Sequence, residues 1–72
     1  MFTKEKFSER LREARKKANK TQEDVAQAMG VTIQWVSDIE RERRTTTPEK
    51  LAALCEYYGI SADYLLGLKD EP

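Results

Sequence analysis

Apolar residues recur three and four positions apart along most of the chain, which is the spacing of one face of an α-helix. The pattern predicts five helices, at residues 3–17, 22–29, 32–40, 48–58 and 62–66. The buried face of the first is formed by Phe7, Leu11, Ala14 and Ala18, and that of the fourth by Leu51, Leu54, Cys55 and Tyr58. The sequence therefore predicts a compact all-α bundle over residues 1–67, followed by a frayed tail over residues 68–72.

The second and third predicted helices are joined by a very short connection. Thr21 is a suitable N-cap, and Asp24 three residues later gives a weaker form of the capping box. Gly30 stands where a left-handed C-cap is needed, and only Val31 separates it from the next N-cap, Thr32. Such a short connection forces the two helices to cross steeply, as in a helix-turn-helix. An ordinary corner between two helices of a small bundle is the alternative.

The third helix divides its side chains between two faces. Val36 and Ile39 point one way, whereas the opposite side is formed by Ile33, Gln34, Ser37 and Asp38. A helix that only fills a bundle is expected to carry Glu and Lys on its outer side. Here a Gln amide can pair with adenine, an Asp can accept from cytosine and an aliphatic group can meet a thymine methyl. The pattern favours base recognition in a major groove, with neutral surface residues as the alternative.

Composition excludes several classes of function. The chain has 72 residues, one cysteine and no histidine, so it lacks the residues for an internal disulfide or a Cys/His zinc site. Its three glycines stand at predicted helix ends rather than in a phosphate-binding loop. We therefore expect no enzyme, metal, cofactor or small-molecule substrate. No apolar run is long enough to span a membrane, and the charged N-terminus is not a signal peptide, so we expect a cytoplasmic protein.

The net charge is zero, but the charges are unevenly distributed. Residues 1–20 contain eight basic and three acidic side chains, and residues 41–50 contain four basic and two acidic ones. Between them, residues 21–40 contain four acidic side chains and no basic one, and residues 51–72 are acidic on balance. Basic segments therefore flank the two-helix unit in sequence. The neutral total should make non-specific binding to DNA weak.

The chain also resembles the Cro/CI-type helix-turn-helix domain of lambdoid phage repressors, the XRE family of bacterial transcriptional regulators. The resemblance covers nearly the whole chain without a gap. It rests on five blocks: Leu11-Arg12-Glu13-Ala14-Arg15, Thr21-Gln22-Glu23-Asp24-Val25-Ala26, Gly30-Val31-Thr32, Val36-Ser37-Asp38-Ile39-Glu40-Arg41 and Leu51 with Tyr58 to Gly67. It implies a lambda repressor-like fold and double-stranded DNA as the partner.

Roles for individual residues follow from this resemblance. The base-reading set is Thr32, Ile33, Gln34, Ser37 and Asp38. The phosphate-binding set is Thr21, Gln22, Trp35, Arg41, Arg43 and Arg44. For Trp35, packing on the edge of the core is the alternative to contact with a sugar-phosphate strand. Arg15 and Glu40 should form a partly buried ion pair between the first and third helices, which makes Arg15 chiefly structural.

Two positions depart from the family pattern. The family usually has glycine where this chain has Glu42. Because glutamate does not take a left-handed conformation cheaply, we expect the third helix to continue for another turn. Relatives often carry a polar residue at position 33 that pairs with the glutamine at position 22. Ile33 cannot form that pair, which suggests recognition of a thymine methyl instead.

The sequence therefore predicts a sequence-specific DNA-binding transcriptional regulator, most simply a repressor that blocks polymerase. We expect a homodimer on a palindromic operator, with Leu66 and Leu68 as candidates for part of the dimer surface. The alternative is a protein-interaction module, such as an antitoxin or adaptor with a repressor-like fold. The neutral charge and the acidic C-terminal third keep that alternative open.

Overall fold

The structure, a computed structural model, describes residues 2–72. Within them lie five helices: α1 (Lys4–Lys17), α2 (Gln22–Met29), α3 (Ile33–Glu40), α4 (Pro48–Tyr58) and α5 (Ala62–Leu65). No strand occurs among these residues. The predicted all-α, five-helix fold is confirmed. Ala18 lies beyond the end of α1 and is exposed. The prediction that it belongs to the buried face of this helix is therefore wrong.

Every helix begins at a hydroxyl side chain that serves as its N-cap. In each case the side-chain oxygen accepts a hydrogen bond from the backbone amide three residues further on. These caps are Thr3, Thr21, Thr32, Thr47 and Ser61. One such bond stabilises a protein by about 1 kcal/mol. Because the caps are local in sequence, they explain why the helix starts were predictable.

The turn between α2 and α3 has the predicted geometry. Gly30 has a φ of 68°, the left-handed conformation that glycine adopts without a steric penalty. The amide of Val31 donates to the carbonyl oxygen of Ala26 at 3.0 Å, which closes the end of α2. At the start of α2, Thr21 and Asp24 form both bonds of the capping box. The two helices are therefore held at a fixed angle by a connection of three residues.

The expected extension of α3 is wrong. The helix ends at Glu40, and Glu42 itself takes the left-handed conformation, with a φ of 64°. That conformation allows the amide of Arg43 to donate to the carbonyl oxygen of Asp38 at 2.8 Å. Arg12 on α1 also donates to the carbonyl oxygen of Glu40. These bonds supply partners for the last carbonyl groups of α3 and offset a strain of roughly 1–2 kcal/mol at Glu42.

Two adjoining clusters of buried side chains form the core. The larger joins α1, α3, α4 and α5 through Phe7, Leu11, Ile39, Leu54 and Leu65. The smaller joins α2 to α3 through Val25, Ala26 and Val36. Met29, Trp35 and Tyr58 pack against both clusters and so connect them. The α2–α3 unit is therefore a continuous part of the bundle rather than an appendage.

The tail that was expected to be frayed folds back on the bundle. The amide of Ser61 donates to the carbonyl oxygen of Pro72 at 2.9 Å. From α1, the Arg10 guanidinium donates to the carbonyl oxygens of Tyr64 and Lys69 and pairs with Asp70 at 3.2 Å. It also lies 4.1 Å from the centre of the Tyr64 ring. Arg10 thus connects α1, α5 and the tail.

Candidate nucleic-acid interface

α3 is anchored by its C-terminal half and exposed at its N-terminal half. Its buried residues are Val36, Ser37, Ile39 and Glu40. Thr32, Ile33 and Gln34 are exposed, and Asp38 is half-buried. Ile33 leaves 48% of its surface accessible, so its aliphatic side chain is free to contact a partner. The helix therefore presents a short uncharged surface at its start, ending in a single carboxylate one turn later.

Ser37 does not belong to this exposed surface. Only 9% of it is accessible, and Val36, Ile39 and Glu40 near it on α3 are also buried. The prediction that Ser37 contacts a base is therefore not supported by its position. The physical reason is that α3 packs against both α1 and α2, so its last turn is covered over more than one face. The predicted division of α3 into one buried and one exposed face did not take this second packing contact into account.

Gln34 and Asp38 are joined on the exposed face. The Gln34 Nε2 donates to Asp38 Oδ1 at 2.7 Å across one helical turn. Neither side chain enters the core, and no Lys or Arg stands within α3 to compete for the carboxylate. The two residues expected to contact bases therefore form a connected pair before any ligand is bound.

Trp35 packs against both core clusters and is half-buried. Its backbone amide donates to the Thr32 hydroxyl oxygen, which caps α3. The structure therefore supports packing on the edge of the core, which was the alternative for this side chain. Contact between its accessible part and a sugar-phosphate strand stays a prediction.

A buried ion pair fixes the end of α3 to α1. Arg15 donates from Nε to Glu40 Oε2 at 2.8 Å and from Nη2 to Glu40 Oε1 at 3.0 Å. The Glu40 side chain is 3% exposed and the Arg15 side chain 16%. The hydrogen bonds to Glu40 raise the pKa of Arg15 above its ordinary value. Burial raises the pKa of Tyr58, and the adjacent Glu40 carboxylate raises it further.

Gln22 extends this pair to the start of α2. Its Nε2 donates to Glu40 Oε1 at 3.2 Å, so Glu40 accepts from two helices at once. Glu40 thereby orients the Gln22 amide, which the aliphatic Ile33 cannot do. One N–H of Nε2 remains for another acceptor. The N-terminus of α2 is thereby held beside the C-terminus of α3.

The remaining residues predicted to bind phosphate lie at two places. Thr21 is exposed, but its hydroxyl oxygen accepts from the Asp24 amide and its own amide donates to the Asp24 carboxylate at 2.9 Å. Arg41, Arg43 and Arg44 are exposed in the segment after α3. Among residues 2–72, none of these three guanidinium groups has a hydrogen-bond or ion-pair partner. The arginines are therefore available to an anionic partner, whereas Thr21 is partly committed to its cap.

The sequence profile of the helix-turn-helix family HTH_3 matches residues 11–65, which include all of the α2–α3 unit. The chain belongs to this family. The match begins within α1 and ends with α5, so it covers both the anchored and the exposed parts of α3. The Cro/CI-type resemblance found in the sequence is confirmed.

Named relatives agree with this assignment. The domain is 41% identical over 65 residues to the HTH-type transcriptional regulator ImmR of Bacillus subtilis, covering 90% of this chain and 50% of ImmR. It is 35% identical over 66 residues to the uncharacterized HTH-type transcriptional regulator YobD of the same organism, covering 92% and 59%. The chain thus spans little more than half the length of these curated relatives.

Among solved structures, the domain is similar to the P22 c2 repressor in a crystal structure with a synthetic operator. The TM-score is 0.79 at 35% sequence identity, covering 83% of this chain and 91% of that chain.

In the part of the chain that the structure describes, no helix is both long and apolar enough to cross a membrane. Residues 2–72 also contain no cluster of side chains suited to hold a metal ion.

Three side chains of α1 have structural roles that the sequence did not indicate. Ser8 is buried and donates to the carbonyl oxygen of Ile39 at 2.6 Å, which ties α1 to α3. Arg12 caps α3, and Arg10 holds the tail. All three lie in a helix that is rich in charged side chains. Their partners are backbone carbonyl groups far away in sequence, which carry no sequence signal.

Proposed function

We propose that this helix-turn-helix domain binds duplex DNA sequence-specifically and regulates transcription, in the cytoplasm, by occupying an operator. The observation that carries the proposal is the exposed, uncharged start of α3 on a helix whose other end is buried. Such a helix can enter a major groove without disturbing the core. The likeness to the P22 c2 repressor, whose crystal structure contains a synthetic operator, supports this assignment.

Within this proposal, base recognition involves four residues of α3 and its cap. Ile33 meets a thymine methyl, Gln34 pairs with adenine, and Thr32 and Asp38 lie on either side. Each good base contact contributes about 1–3 kcal/mol of discrimination. Ser37 is left out of this set because only 9% of its surface is accessible.

Phosphate contacts would set the position of α3 along the groove. The free N–H of the Gln22 amide and the backbone amides at the start of α2 face one strand, although the Asp24 carboxylate weakens the positive potential there. Arg41, Arg43 and Arg44 contact the other side of the groove. Because the whole chain is neutral, attraction to phosphate depends on local charge, and the arginines directly after α3 supply it next to the base-reading residues.

The expected partner protein is a second copy of the chain, at least on DNA. Helix-turn-helix dimers bind two half-sites about one helical turn apart, so the operator would be palindromic. Leu68 is 61% exposed and Leu66 is half-buried, which supports their place at a dimer surface.

Three matched variants test the proposal once a preferred sequence has been selected from random duplex oligonucleotides. Gln34→Ala should weaken binding to the selected sequence by about 1–3 kcal/mol and leave non-specific binding unchanged. Arg43→Ala should weaken both and reduce the slope of log affinity against log salt by about 0.9. Ser37→Ala is the control on the same helix and should change neither.

If Gln34→Ala weakened specific and non-specific binding equally, as Arg43→Ala is expected to do, the roles of the two residues would be assigned wrongly. If the wild-type protein selects no sequence even at low salt, the protein-interaction module becomes the better explanation of this fold.

A further inference from the structure

The hydrogen bond between Gln34 and Asp38 fixes which end of the Gln34 amide is free. An ionised carboxylate only accepts hydrogen bonds, so the amide nitrogen and not its oxygen must face Asp38. The bond from Nε2 to Oδ1 measures 2.7 Å. Gln34 is left with its oxygen as an acceptor and one N–H as a donor.

That arrangement distinguishes the two purines. In the major groove adenine offers an acceptor at N7 and a donor at N6, whereas guanine offers acceptors at both N7 and O6. A glutamine free to turn its amide can give both N–H groups to guanine. When one N–H is held by Asp38, guanine would face the Gln34 oxygen and the Asp38 carboxylate, which repel its acceptors.

Asp38 is held firmly enough to act in this way. Its flanking residues, Ser37 and Ile39, are buried, and its backbone carbonyl accepts from the amides of Arg41 and Arg43 at 3.3 and 2.8 Å. Its carboxylate has no ion-pair partner among residues 2–72, so no cation draws it away from Gln34. The anchored turn of α3 therefore positions a carboxylate against the exposed turn.

We propose that Asp38 is a positioning residue for Gln34, and that the two side chains recognise one A·T base pair as a unit. In this arrangement Asp38 does not read a cytosine of its own. The inference rests on the proposed function, because it requires α3 to lie in a major groove. It assigns the choice of adenine over guanine to a residue that does not contact the base.

The test is a set of operator selections followed by competition binding with single-base variants. Wild-type protein should select adenine at one position in each half-site. Gln34→Ala should lose that preference, and Asp38→Ala should reduce the preference for adenine over guanine at the same position by about tenfold or more. The double variant should be no worse than Gln34→Ala. Asp38→Asn should keep the preference, since the Asn oxygen can still accept from Gln34.

Several outcomes would overturn the inference. Asp38→Ala could change the preference at a different base pair, or its effect could multiply with that of Gln34→Ala, and either result would mean two independent readers. Loss of the preference in Asp38→Asn would exclude positioning by the hydrogen bond. Circular dichroism melts check that each variant is folded. A wild-type protein that selects no sequence would instead count against the proposed function itself.

Discussion

Glu40 is the residue on which the binding surface depends most. Its carboxylate accepts from Arg15 on α1 and from Gln22 on α2, and its own backbone lies at the end of α3. Three helices therefore meet at one buried charge. Removing a charge from water is costly, and here bidentate pairing and a third hydrogen bond offset that cost. The position of the proposed phosphate-binding amide of Gln22 is set by the same group that stabilises the bundle.

The Arg15–Glu40 pair gives a prediction about stability. Arg15→Ala leaves the Glu40 carboxylate buried with only Gln22 as a hydrogen-bond donor, and should lower the free energy of unfolding by about 3 kcal/mol in urea. Glu13→Ala, an exposed change on the same helix, should alter it by less than about 0.5 kcal/mol. Replacing both Arg15 and Glu40 by Met should be less harmful than Arg15→Ala. If Arg15→Ala were as mild as Glu13→Ala, the pair would contribute little.

Asp24 gives a prediction about pH. The hydrogen bond from the Thr21 amide lowers the pKa of Asp24 below its ordinary value of 3.8. A carboxyl group whose pKa is lowered in the folded state stabilises that state above its unfolded pKa, and this contribution is lost as the pH falls through the folded value. Wild-type protein should therefore melt higher than Asp24→Asn at pH 6, and the difference should shrink as the pH falls below about 3.8. A difference independent of pH would exclude the carboxylate as its source.

At the level of elements, the sequence predicted what is encoded locally. The hydroxyl caps, Gly30 and the apolar spacing determined the helices and the tight turn, and the same spacing identified Ile33 and Gln34 as exposed. Burial of Ser37 could not be predicted this way, because it depends on how α1 and α2 both cover the last turn of α3. The end of α3 was also mispredicted, since the bonds made by Arg12 and the Arg43 amide outweigh the preference of Glu42. The Gln22–Glu40 contact likewise joins residues 18 positions apart.

The left-handed conformation of Glu42 leads to a prediction about the stability of the domain and its affinity for duplex DNA. Glu42→Gly removes the steric strain at a φ of 64° and should raise the free energy of unfolding by about 1 kcal/mol. Glu42→Ala keeps a Cβ atom in the same conformation and should not stabilise the domain. Both variants remove an acidic group next to Arg41 and Arg43, so both should bind duplex DNA more tightly at low salt. Equal stability of the two variants, measured by urea denaturation, would show that the strain is negligible.

At the scale of the whole molecule, the size of the domain limits how much surface two copies bound to neighbouring half-sites can share. The domain measures 29 × 22 × 20 Å. Half-sites read from one face of the duplex lie about 34 Å apart, so two copies in successive major grooves would come close to contact with only a small shared surface. We therefore expect weak association in solution and cooperative binding on DNA, with exposed Leu68 close to the second copy.

Moving the half-sites tests this arrangement. Inserting about five base pairs between them turns one site to the opposite face of the duplex, and inserting about ten restores the face but doubles the separation. Both insertions should abolish cooperativity and leave the affinity for each single half-site unchanged, because the contacts of α3 are not altered. Leu68→Glu should mimic the insertions on the unmodified operator while Gln34-dependent preference is retained. Binding that is indifferent to the spacing would mean that each domain acts alone, and the exposed leucine would then need another explanation.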